Sequence, residues 1–92
     1  MPKKSAKKSI NKKQEEQLVA LGKGLTKLRK DKGYSNYYKL AYDMDMIHSQ
    51  YGAYENGKNL TILTLLKILD FHKISFVDFI NEYFDHSAKL ED

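Results

Sequence analysis

Apolar residues return at helical spacing through most of this chain. Across residues 14–31 they are Leu18, Leu21, Leu25 and Leu28, and these steps of three and four mark one face of an amphipathic helix. The other face ends in Lys27, Arg29, Lys30 and Lys32, where cations favour a helix C-terminus, and Gly33 is a natural stop. Gly22 and Gly24 inside this helix cost about 1 kcal/mol each relative to alanine, so they imply either a close contact with another helix or a kink.

A second helix begins at Ser35 or Asn36, either of which can cap it, and runs to about Asp43 with Leu40 and Ala41 turned inward. A turn at residues 44–46 leads to a third helix that starts near Ile47. Tyr51 and Tyr54 fall on its buried side, leaving His48, Ser49, Gln50, Gly52 and Ala53 on the open side. After a loop over residues 56–60, Thr61 caps a fourth helix. Its Ile62, Leu63, Leu65, Leu66, Ile68 and Leu69 are apolar almost all round, as expected of the central element of a core. Ser75, with Asp78 three residues on, opens a fifth helix whose stripe is Phe76, Phe79, Ile80, Tyr83 and Phe84. The expected fold is all-α, a compact five-helix bundle without internal repeats.

Length and charge refine this picture. Ninety-two residues suit one domain, and a domain so small buries only about 60% of its unfolded surface, so pairing with a second copy would add stability. Net charge is +4, but residues 1–13 hold six lysines and no acid, whereas residues 70–92 hold two basic and six acidic groups. The lysine-rich start is too polar to pack and is expected to be a disordered arm over 1–13, followed by the domain over 14–85 and a flexible acidic tail over 86–92. Lys3, Lys4, Lys7, Lys8, Lys12 and Lys13 either neutralise phosphates or serve as a solubilising leader. The longest apolar run falls far short of the roughly 20 residues that span a bilayer, so no membrane partner and a cytoplasmic location are expected.

Catalytic and metal chemistry find little footing. There is no cysteine, and His48, His72 and His86 lack any ligand spacing, so neither a metal site nor another cofactor is expected. Asp43 and Asp45 begin like a calcium loop, but Ile47, His48 and Tyr54 stand where ligands and glycine are needed. An enzyme is not expected. Seven tyrosines could stack on single-stranded bases, yet Tyr51, Tyr54 and Tyr83 fall on apolar faces; only Tyr37 and Tyr38 are placed to donate to phosphates.

The most telling stretch runs over residues 33–58: a helix, a tight turn and a second helix closed by Asn56-Gly57-Lys58. A second helix held proud of a small helical body has the size to enter the major groove. The ordered fragments Leu28-Arg29-Lys30 before Gly33, Leu40-Ala41, Glu55-Asn56-Gly57-Lys58, Thr64-Leu65-Leu66-Lys67-Ile68 and Ile74-Ser75 follow. Together they resemble the helix-turn-helix DNA-binding domains of phage repressors and Cro, the XRE type. The resemblance covers residues 21–84. It implies a repressor-like bundle that binds double-stranded DNA as a homodimer to regulate transcription, as a repressor. It further implies base readout by His48, Ser49, Gln50, Gly52 and Ala53, and phosphate contacts from Asn36, Tyr37, Asn56 and Lys58.

The sequence departs from that family at several positions. Asp45 stands where the motif turn usually has glycine, and Lys73 replaces a helix-ending glycine. His72 replaces an aliphatic residue, and one extra residue lies between Ser35 and Leu40. No arginine or lysine occurs over residues 47–55, so readout would lean on Gln50 to adenine, on His48 and Ser49, on the Ala53 methyl against thymine, and on DNA shape. The alternative is an antitoxin-like or other protein-interaction module with autoregulatory DNA binding. Its support is the aromatic fifth helix, whose phenylalanines pack on the first and fourth helices, serve a homodimer, or meet a protein partner.

Overall fold

Asn11 opens the first helix with a reciprocal cap. Its Oδ1 accepts from the Gln14 N–H at 2.9 Å while its own N–H donates to Gln14 Oε1 at 3.0 Å. The computed structural model describes residues 10–84, which form five helices and no strand. These are α1 (Lys12–Asp31), α2 (Tyr37–Asp43), α3 (His48–Glu55), α4 (Ile62–Phe71) and α5 (Phe76–Tyr83). Lys12 and Lys13, expected in the arm, are helical; the arm's other lysines and the acidic tail lie outside the described residues.

Three of the four later starts are set by the residue before the helix. Asn36 accepts from the amides of Tyr38 and Lys39, Thr61 from Thr64 and Ser75 from Asp78, so a short oxygen side chain satisfies amides that lack an intrahelical partner. Helix α3 differs, because Ile47 precedes it and offers no side-chain cap.

Helices α1 to α4 all end in the same two-bond lock, whose left-handed residue is Gly33, Asp45, Gly57 and Lys73 in turn. After α2, for instance, the Asp45 N–H donates to Tyr42 O at 3.0 Å and the Met46 N–H to Ala41 O at 2.8 Å. Asp45 and Lys73 both sit at φ 59°, a conformation that glycine tolerates without cost and L side chains do not.

The helices pack around a core of Leu25, Leu28, Leu40, Ala41, Tyr51, Leu65, Ile68, Leu69 and Phe79. Helix α1 lies against both α3 and α5, α2 against α3, and α4 against α5. The two α1 glycines mark the closest approaches: a Cβ on Gly22 would collide with the carbonyls of Tyr54 and Glu55, and one on Gly24 would lie 2.6 Å from Tyr83 O. Close contact, rather than a kink, accounts for both.

Helix α4 corrects the expectation of an all-round core element. Leu65, Ile68 and Leu69 are buried, but Ile62 and Leu63 are 64% and 62% exposed and Leu66 is exposed beside them. Helix α5 divides its stripe similarly: Phe79 is sealed, Ile80, Tyr83 and Phe84 are half-buried, and Phe76 and Val77 are exposed. Leu66 and Phe76 line one shallow groove with Lys67, Asp70, Ile74 and Ser75, so the apolar faces of the two helices are continuous.

Candidate nucleic-acid interface

A buried ion pair fixes the far end of α3. Arg29 Nε donates to Glu55 Oε2 at 2.8 Å, with both side chains 7% exposed, and Arg29 Nη1 donates to Tyr34 O at 2.9 Å. Thr26 Oγ1 adds a 2.9 Å bond to Glu55 Oε1. Arg29 was expected on the polar face of α1; it turns inward instead because Glu55 supplies a complete partner for the guanidinium fork. Tyr51 secures the middle of α3 by filling the core, and burial followed by the nearby Glu55 carboxylate raises its hydroxyl well above the ordinary tyrosine pKa.

With its inner side fastened, α3 leaves its leading turn open. His48, Ser49 and Gln50 are all exposed, and Ala53 is half-exposed. Gly52 is not on the open side. It is buried, and a Cβ there would come within 2.6 Å of the Tyr37 ring, so its lack of a side chain makes room for an aromatic neighbour instead of a groove.

The residues expected at phosphates divide in the same way. Lys58 is exposed just beyond α3, its backbone N–H bonded to Ala53 O at 3.0 Å. Asn36 and Asn56 are exposed but already employed: Asn36 caps α2, and Asn56 Nδ2 donates to Gly52 O at 3.0 Å. Tyr37 turns inward over Gly52 and is half-buried. The neighbouring Tyr38 hydroxyl, and then burial, hold the Tyr37 hydroxyl above its ordinary pKa.

Tyr38 is the more accessible of the two, at 54% exposure, and its ring lies 4.6 Å from the His48 imidazole. That contact joins α2 to the first residue of α3. Sequence periodicity could not show it, because it depends on how the two helices cross. Nearby, Asp43 accepts from the Tyr34 hydroxyl at 2.7 Å and from Lys39 Nζ at 3.1 Å; the tyrosine first, then the lysine, lowers its carboxyl below the ordinary range. No lysine or arginine occurs on α3 itself; Lys67 lines a cleft with its Gln50 and Tyr54, and Lys58 lies just beyond its end.

Among the described residues there is no group of three or more side chains suited to a metal ion, and no helix is long and apolar enough to cross a membrane. Comparison of the chain with protein-family models, curated proteins and solved structures finds no match.

Proposed function

We propose that the protein is a sequence-specific regulator of transcription that binds double-stranded DNA, of the repressor and Cro helix-turn-helix type, and represses by occupying its operator as a twofold dimer. The observation that carries this reading is the state of α3: anchored by Tyr51 and Glu55, yet open at His48, Ser49 and Gln50. A rigid helix with short polar side chains on its outer edge suits a major groove about 12 Å wide. Gln50 pairs with adenine, His48 and Ser49 take neighbouring base edges, and the Ala53 methyl meets thymine. Lys58 contacts phosphate, and Asn36 offers its side-chain NH2 group while its oxygen caps α2. Without a cation on α3, DNA shape supplies part of the discrimination.

The continuous apolar face of α4 and α5 supports the dimer. Lys67 and Asp70 lie along the same groove as Leu66 and Phe76, so the surface carries both signs of charge, which suits a self-complementary contact between identical copies. Two copies would read half-sites about 34 Å apart on one side of the duplex. An antitoxin-like module would place a different protein on this face, and the oligomeric state separates the two readings.

Selection of bound sequences from random duplexes tests the proposal. It should enrich an inverted repeat, and absence of any enriched sequence would overturn it. Changing His48, Ser49 and Gln50 to alanine together should flatten the preference. Lys58→Ala should weaken all duplexes alike and reduce the salt slope by about one unit.

A further inference from the structure

Four aromatic rings run in sequence from the core to the open edge of α3. Tyr51 is sealed in the core; the Tyr37 ring lies 6.2 Å from it, Tyr38 stacks 4.8 Å beyond at 22°, and the His48 imidazole follows at 4.6 Å. Gly52 permits this order, since any side chain there would occupy the place of the Tyr37 ring.

We propose that Tyr38 is a positioning residue that fixes the His48 imidazole, and thereby sets which base pair the leading edge of α3 discriminates. This rests on the DNA-reading function proposed above. An exposed imidazole on the first residue of a helix with no side-chain cap has several rotamers open to it, and ordering such a side chain on binding costs affinity and selectivity. The Tyr38 ring reduces that freedom before DNA arrives. Tyr38 can do so because it is itself held: it stacks on Tyr37, which Gly52 and Tyr51 hold in place. Tyr42, one turn along α2, shows the contrast. It is 79% exposed, with the Lys39 ammonium 5.9 Å from its ring.

The ring, not the hydroxyl, carries this role, which separates it from phosphate donation. Tyr38→Phe should therefore keep the wild-type sequence preference, whereas Tyr38→Ala should reduce discrimination by roughly two- to tenfold at the base pair that His48→Ala also affects. The double variant should lose no more than His48→Ala alone. Nuclear magnetic resonance of the free protein supplies a readout independent of DNA: ring-current shifts on the His48 side-chain protons should persist in Tyr38→Phe and vanish in Tyr38→Ala. Loss of affinity for every duplex alike in both Tyr38 variants would make Tyr38 a phosphate donor and overturn the proposal. So would an unchanged preference in Tyr38→Ala. If the wild type selects no sequence, the DNA-reading function fails and this role fails with it; if the wild type selects and Tyr38→Ala selects identically, only the role of Tyr38 falls.

Discussion

Arg29 and Glu55, 26 residues apart, meet through two guanidinium nitrogens and both carboxylate oxygens inside the domain, with side chains 7% exposed. Removing one member leaves the other charged, buried and unpaired, a situation that costs about 3–5 kcal/mol. Glu55→Ala should therefore lower the urea midpoint severely. Arg29→Met with Glu55→Leu should cost much less than the two single changes added together, because no orphan charge remains.

Gly52→Ala tests the inward placement of a residue expected on the open side. Overpacking against the Tyr37 ring should destabilise by about 1–3 kcal/mol, read as a lower urea midpoint with an unchanged slope. Tyr37→Leu in the same chain should recover part of the loss. If Gly52→Ala left stability unchanged and altered only binding, the groove-facing placement would be restored.

Asp45 and Lys73 occupy left-handed positions that Gly33 and Gly57 fill in the equivalent locks. Replacing Lys73 with glycine removes a conformational cost of about 1–2 kcal/mol and adds back some unfolded-state freedom, so a net gain near 1 kcal/mol is expected. Asp45→Gly should gain less, because a short polar side chain tolerates this region better than lysine does. Thermal melts of the two variants should rank them in that order.

His72 caps α4 from a buried position, and burial, then the Lys32 charge, lower its pKa from the ordinary 6.5. Below pH 6.5 the unfolded chain takes up a proton that the folded chain refuses, so stability is full above that value and declines as pH falls through the folded pKa. Melting temperature should drop between pH 7 and pH 5, and His72→Leu should flatten that slope. Asp43, lowered from 3.8, acts in a separate and more acid window.

Leu63→Glu and Leu66→Glu place charge on the face of α4 where these side chains are 62% and 42% exposed, while Leu65, Ile68 and Leu69 keep the inner face apolar. Sedimentation should show a wild-type dimer and a folded monomeric variant. A wild type that is monomeric at high concentration would leave the face to a different protein.

Much of this architecture was legible in the sequence because its causes are local. Thr61 and Ser75 bond amides three residues away, and Gly33 ends α1 through its own backbone, so residue type alone identifies such sites. The glycines at 22 and 24 were legible as a cost needing a long-range reason, although the identity of the partner carbonyls was not. What escaped was decided between elements. Arg29 has the composition of a surface residue until Glu55 is brought to it. Ile62, Leu63 and Leu66 have the composition of a core, since periodicity cannot distinguish a face that meets the domain from one left outside it. Gly52 was placed outward by helical spacing and inward by the ring of Tyr37.

The paired glycines of α1 also restrict how this protein can vary. Gly22 and Gly24 touch the trailing ends of two different helices, with the exposed Lys23 between them. Sliding α1 by a single residue would drive a lysine into a backbone seam, so the helix has one admissible register. The Asn11 end lies more than two turns before either seam, so a change of length there leaves both contacts in place.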